Sequence, residues 1–417
     1  MNHDDMVIDI NAMLDKAEPP FGAKHYCIYK TPLAICRLNE DAYTPKVISI
    51  GPFHHRLSHV QNMERHKLIF FKAFLQHAGT TTQPLIKYIE SIIPDFRRCY
   101  SETLDFTDQE LVKLILIDSG FIIELFYGFY YHDQRDYFLL EPWLHTTIVL
   151  DLVLLENQLP FFILEKIFNI CFGAQADICP FRELTFNYFQ IFNEYNCDYH
   201  NNRDISIKHF TDLIRIFHLQ LEKRPDRTEG PTITKHFYSV TELFEAGVTF
   251  KVNTKSKCLL ELRFLGGVLE IPELTINDWT EILFRNMIAL EECHYYDESY
   301  ITDYIFVLEF LINTERDVDI LVEKEILVNV FGDSDSVAKV FNRLCKNVST
   351  PDFNHDYSVI CNNLDGFYRD PWHKLKATLR RDYGSTPWQT AASAAGILLL
   401  FLSLLQSVCS VLQIVQQ

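Results

Sequence analysis

Missing from this chain are the short motifs by which many chemistries are recognised. It has no G-x-S-x-G elbow, no G-x-x-x-x-G-K-[ST] loop, no G-x-G-x-x-G, no H-E-x-x-H and no kinase or zinc-deaminase signature. Acyl-enzyme, phosphate-loop, dinucleotide and zincin chemistries therefore have no support at sequence level. Its eleven cysteines are scattered, with no C-x-x-C pair, which removes a zinc ribbon or a thioredoxin-like site and leaves reduced, core-facing thiols. Positive charge is scarce: 38 Lys and Arg face 56 Asp and Glu, a net charge of −18. Nucleic acid is accordingly not expected as a partner, because phosphate binding needs clustered cations, and the one local basic patch lies just before the tail. The acidic N-terminus lacks the basic, apolar start of a secretory signal. No charged side chain occurs after Asp382.

What is present is aromatic and apolar. Hydrophobic residues make up 48% of the chain, with 33 Phe and 20 Tyr, a composition that suits helices packed through large rings and opposes disorder. The expected fold is mainly α: a large helical body, a small antiparallel β-sheet in the second half, and one C-terminal transmembrane helix over 388–415. That last expectation rests on an uncharged run from Ala394 to Leu412, apolar except for Ser403, Gln406, Ser407 and Ser410, close to the ~20 residues needed to span a ~30 Å hydrocarbon core.

Arg369, Lys374, Lys376, Arg380 and Arg381 crowd the near side of this run, and Trp388 stands where an interfacial aromatic belongs. The positive-inside tendency then predicts a single-pass, tail-anchored protein with a cytosolic body. Ala392 and Gly396 are four apart with Gln406 further along, a pattern that allows self-association of the span.

Along the body, Val47–Ile50 reads as an extended segment that ends at Gly51-Pro52. Thr107 with Glu110 forms a capping-box pattern that opens a helix. Trp143–Glu156 is apolar on nearly every face and is expected to be the central buried helix. Residues 222–234 form a polar linker. Val248–Val252, Leu259–Leu265 and Val268–Ile271 alternate as strands, with Gly266-Gly267 as a hairpin turn. Helices are predicted at Asn277–Cys293, Tyr300–Ile312, Val318–Phe331, Ser334–Val348 and Tyr357–Arg381.

Two polar groups are candidates for chemistry. His54, His55, His59 and Glu64 offer imidazoles and a carboxylate of the types that suit zinc or iron, and they would serve a metal-dependent hydrolase. The ordinary reading of a turn and a helix start competes with this, since no clean ligand spacing accompanies it. Asp118, Glu124, Asp151 and Glu156 lie within apolar stretches. Buried carboxylates of this kind are usually paired with a cation or held by backbone donors, and Arg97, Arg98 and Arg215 are the expected partners. No catalytic residue and no cofactor is assigned.

Several strings together resemble the plant family called domain of unknown function 247. They are CIYKTP at 27–32, YTPKVISIGPFHH at 43–55, MERHKLIFFKAFL at 63–75, DSGFIIELF at 118–126 and LLENQLPFFILEKIF at 154–168. The later strings are GGVLEIPELTINDWTEILFRNMIALEEC, LINTERDVDILVEK and KATLRRDYGSTPW. The resemblance implies a family body over 27–384, preceded by an extension at 1–26 that holds a short amphipathic helix, and followed by the apolar tail. It supplies no catalytic residues. Some grass members resemble determinants of self-incompatibility, so it implies a non-catalytic body that binds other proteins in recognition or signalling.

Overall fold

The computed structural model describes residues 6–8, 10–11, 26–131, 141–175, 177–198, 205–220, 236–349, 354–383 and 387–415. Most of the N-terminal extension and the whole linker at 222–234 lie outside these residues. The chain divides into two units, Met1–Phe192 with Asp198–Ile214, and Asn193–Cys197 with Arg215–Gln417.

In the first unit the helices are α1 (Leu33–Cys36), α2 (Glu64–Ala78), α3 (Thr82–Arg98), α4 (Asp108–Tyr131), α5 (Pro142–Asp151), α6 (Phe161–Phe172) and α7 (Phe181–Tyr188). Helix α8 (Phe210–His218) begins in this unit and ends in the second, the division falling after Ile214. The capping box starts α4 as expected: Glu110 Oε2 accepts from Thr107 N at 2.7 Å, and Thr107 Oγ1 accepts from Glu110 N at 3.3 Å. Two orphan donors at the helix start are satisfied by this exchange.

The central helix is α4, not the stretch at 143–156. It is buried on most of its faces and packs against α2, α3, α6 and α7. Near its end the Phe126 ring stacks on Tyr188 with centroids 4.3 Å apart and meets Phe189 edge-on at 5.6 Å. Each buried ring of this size contributes about 1.5–3 kcal/mol through burial. Helix α5 stops at Asp151, and 152–160 continue as a buried irregular segment. Periodicity overestimated this helix because an apolar run is equally compatible with a buried loop whose backbone is satisfied by side chains.

The second unit contains α9 (Val240–Glu245), β1 (Thr249–Val252), β2 (Arg263–Leu265), β3 (Val268–Ile271), β4 (Leu274–Ile276) and α10 (Thr280–His294). These are followed by α11 (Tyr300–Leu311), α12 (Glu315–Glu323), β5 (Leu327–Asn329), α13 (Ser334–Leu344), α14 (His355–Arg369), α15 (Pro371–Tyr383) and α16 (Pro387–Val415). Gly266 and Gly267 have φ of +58° and +80°, the positive pair that a type I′ turn requires, and they join β2 to β3 in antiparallel register.

The expectation of one antiparallel sheet needs correction. β1 pairs parallel with β3, giving a mixed sheet of order β1-β3-β2, and β4 pairs parallel with β5 in a separate sheet. Because β2 turns the chain back on itself, β3 again runs in the direction of β1. The helix expected over Val318–Phe331 also divides. It ends at Glu323, Glu325 takes φ of +58°, and 327–329 become a strand.

The transmembrane helix is the largest correction. Among the described residues, no helix is long and apolar enough to cross a membrane. Helix α16 is continuous over Pro387–Val415. Composition registered the apolar run, and Ile397–Leu402, Leu404, Leu405 and Val408 are exposed, yet the span does not follow.

Candidate functional site

The first four signature strings converge with the 154–168 string in one buried polar cluster of the first unit. It begins with a problem of backbone chemistry. The segment at 46–51 is not helical, so its N–H groups need acceptors from elsewhere. Asp151 supplies most of them: Oδ1 accepts from Lys46 N at 2.8 Å, and Oδ2 from Val47 N at 2.8 Å and Ile48 N at 2.9 Å. Asn157 Oδ1 accepts from Ile50 N at 2.7 Å, while its Nδ2 donates to Ile48 O and Asp151 O. Asp118 Oδ2 takes Gly51 N at 2.9 Å.

Lys67 completes the arrangement. It is fully buried, and its ammonium meets Asp118 Oδ1 and Glu64 Oε1, each at 2.7 Å, and the Ser49 carbonyl. All three of its donors are thereby directed at oxygen atoms. Burial alone lowers a lysine pKa; here Asp118 and Glu64 outweigh it and raise the Lys67 value. Burial raises Asp118 against the opposing pull of Lys67 and Gly51 N–H. Asp151 is pushed up to about 6 by burial, in spite of its three backbone donors.

Gln158 closes the far side. Its Nε2 donates to Leu152 O and Leu154 O, and its Oε1 accepts from Phe210 N. Tyr100 Oη donates to Gln158 O at 2.9 Å. Gly51, at φ +74°, lies so close that a Cβ there would fall 2.4 Å from Gln158 O.

The four candidate ligands are not brought together. His54 Nε2 lies 3.3 Å from Glu156 Oε2, and Glu156 Oε1 accepts from Thr31 N. Burial raises the Glu156 pKa, but His54 and Thr31 prevail and lower it. His59 Nε2 bonds Pro45 O at 2.8 Å, and Glu64 faces Lys67. The His55 ring lies 6.1 Å from that of Phe106, and its buried Nδ1 has no hydrogen-bond partner among the described residues. His55 and Glu64 do share the wall of a cleft of about 500 Å³ with Arg56, Gln61, Lys113 and Asp118. Among the described residues, no group of three or more His, Cys, Asp and Glu side chains is placed to hold a metal ion.

Partner assignments for the buried acids also change. Asp118 pairs with Lys67 and Glu124 with His77, at 2.7 and 2.9 Å, while Arg97 serves Leu104 O, Phe106 O and Asp108. Arg98 pairs with Asp95, and in the second unit Arg215 pairs with Glu291 at 2.9 Å. Lys67 was overlooked although a signal existed. It shares the i, i+3, i+7 face of Phe70 and Phe74, where a lysine has no place without a buried carboxylate.

Near the tail, Lys374 Nζ sits 3.7 Å from the Tyr368 ring centroid, Arg369 pairs with Asp365, and Lys376 is exposed. A Cβ on Gly396 would meet nothing within 4 Å, and Gln406 is exposed. The side chains of Arg380, Arg381, Trp388 and Ala392 lie outside those described.

Residues 28–402 match the model of a family described as plant protein of unknown function, domain of unknown function 247. UPF0481 protein At3g47200 of Arabidopsis thaliana is 28% identical, over 94% of this chain and 87% of the relative. Putative UPF0481 protein At3g02645 of the same plant is 22% identical, over 91% of this chain and 89% of its own length. No solved structure matches the chain.

Proposed function

Since the chain belongs to this plant family of unknown function, we propose that it is a non-catalytic helical body that binds other proteins in recognition or signalling. One observation carries the reading. Five buried polar side chains of the signature strings, Glu64, Lys67, Asp118, Asn157 and Gln158, and the neighbouring Asp151 are engaged with one another or with backbone groups. A saturated ammonium and carboxylates already accepting hydrogen bonds have little capacity left for a substrate. Such motifs specify a scaffold, and binding then belongs to the exposed surface, which can vary without disturbing it.

Among the described residues no helix is long and apolar enough to cross a membrane, so the proposal concerns the folded body. Proximity labelling of the full-length protein in plant tissue tests it. A recurrent set of protein neighbours supports the reading, and labelling no richer than a diffusible control opposes it.

The cleft beside His55 keeps a second reading in view, that of a metal-dependent hydrolase using His54, His55, His59 or Glu64. Metal analysis of the purified protein separates the two. The scaffold reading predicts no stoichiometric zinc or iron; metal that is retained by the wild type and lost in His55→Ala would favour the hydrolase.

A further inference from the structure

Cys27 and Cys99 are distant in sequence and adjacent in the first unit. Cys27 opens the first signature string, and Cys99 caps the C-terminus of α3. The N–H groups of Cys27 and Ile28 both donate to Cys99 O at 2.9 Å, and Ser101 N donates to Ile28 O at 2.9 Å. Ile28 and Tyr100 thereby form a parallel bridge. Backbones paired in this way run about 4.8 Å apart, inside the ~4.4–6.8 Å between Cα atoms that a disulfide accepts. The side chains meet as well, since the two thiols are hydrogen-bonded to each other. Sulfur atoms in that contact need only close to the ~2.05 Å of a bond.

Both residues are held in place from other sides. Cys27 O accepts from His209 Nε2 at 2.8 Å, and Cys99 Sγ donates to Asp95 O at 3.3 Å. Cys27 is 8% exposed and Cys99 7%, which admits a small oxidant and keeps out a bulky one such as a tripeptide disulfide. The two thiols also differ in readiness to react. Their mutual hydrogen bond raises the pKa of Cys27 and, against burial, lowers that of Cys99. Burial instead raises Cys36, Cys171, Cys258 and Cys361. Thiolate character decides which cysteine a peroxide attacks first, and a neighbouring thiol decides whether the product is a disulfide.

We propose that Cys27 and Cys99 are a site of reversible oxidation, joined as a disulfide when the protein meets hydrogen peroxide. The Cys99 thiolate attacks one peroxide oxygen, the O–O bond breaks, and the departing hydroxide takes up a proton to become water. Cys99 is then a sulfenic acid. The Cys27 sulfur attacks the Cys99 sulfur, loses its proton, and displaces the hydroxyl as a second water. Two electrons pass from the sulfurs to peroxide, and thiol exchange reverses the bond. In the reduced form 27–31 keep their place through the Ile28 bridge, His209 and the bond from Thr31 N to Glu156. In the oxidised form a covalent link ties that segment to α3 and closes a long loop, which constrains the unfolded chain. This inference is independent of the protein-binding reading.

The test treats the full-length protein with hydrogen peroxide, blocks remaining thiols with iodoacetamide, and maps tryptic peptides by mass with and without dithiothreitol. Trypsin cuts after Lys24, Lys30, Arg98 and Lys113, so Cys27 and Cys99 each fall in a peptide with no other cysteine. The expected product is that pair of peptides cross-linked, two hydrogens lighter than their sum and separated by dithiothreitol. The oxidised protein is expected to unfold about 5 °C or more higher than the reduced one. Cys27→Ser is expected to lose both the link and the shift, and to leave a Cys99 sulfenic acid that dimedone labels. Cys99→Ala is expected to lose the link and the shift without that label, with circular dichroism verifying that each variant is folded.

Cys27 and Cys99 both recovered as alkylated thiols, at a peroxide concentration that oxidises the exposed Cys409, overturn the proposal. Cys99 linked to any other cysteine overturns it too, as does Cys99 driven to sulfonic acid while Cys27 stays a free thiol. A thermal shift that persists in a folded Cys27→Ser also counts against it, because the stabilisation would then come from elsewhere. The wild-type peptide map decides the question by itself if neither variant folds.

Discussion

At the scale of single residues, Lys67 and Asp151 carry most of the argument. Lys67→Met would leave Asp118 buried without its cation, a change that costs about 3–5 kcal/mol in comparable buried pairs, and urea unfolding of the full chain measures it. Asp151 makes a prediction with a definite sign. Burial raises its folded pKa to about 6, above the ~3.9 of an unfolded aspartate. The native state therefore holds the extra proton between roughly pH 4 and 6, so this group opposes folding most at neutral pH and progressively less as pH falls through 6. Asp151→Asn lacks that relief and turns an amide donor toward the N–H groups of 46–48, which costs about 1–3 kcal/mol. The stability gap between wild type and variant is expected to widen by about 1 kcal/mol from pH 7 to pH 5. A gap that stays constant would mean that Asp151 does not titrate in this range.

Elements show how far local signals reach. The capping box at Thr107 and Glu110 and the Gly266-Gly267 turn were legible because each is settled within four residues of sequence. The hairpin glycines are not equivalent. A Cβ on Gly266 meets open space, whereas one on Gly267 falls 2.7 Å from the Phe367 ring. Both alanine variants force a positive φ, at about 1–2 kcal/mol, and Gly267→Ala is expected to lose more because the ring must also move; thermal unfolding compares them. Pairings between distant segments were not legible. Nothing local tells Leu274 that its strand partner is Leu327, nor tells Lys67 that its carboxylate lies 51 residues on at Asp118. The end of α5 was missed for the same reason. The helix stops at Asp151, whose carboxylate is taken by donors a hundred positions earlier in the chain. In the tail, an apolar run was visible, but length and composition alone did not secure a membrane span.

For the whole molecule, the account places the signature strings of the first unit in the scaffold and the function on the surface. The four candidate ligands illustrate the division: they adjoin in sequence, yet His54, His59 and Glu64 turn to three different partners. If the buried cluster is what these strings specify, breaking it at one point must loosen all of them together, because each segment depends on the others for its hydrogen bonds. Hydrogen exchange of the full-length protein, comparing wild type with Lys67→Met, tests this most directly. The account predicts that protection falls jointly across 46–51, α2, α4 and 152–160. Loss confined to the first turns of α2, with the other segments unchanged, would contradict it and make Lys67 and Asp118 candidates for chemistry.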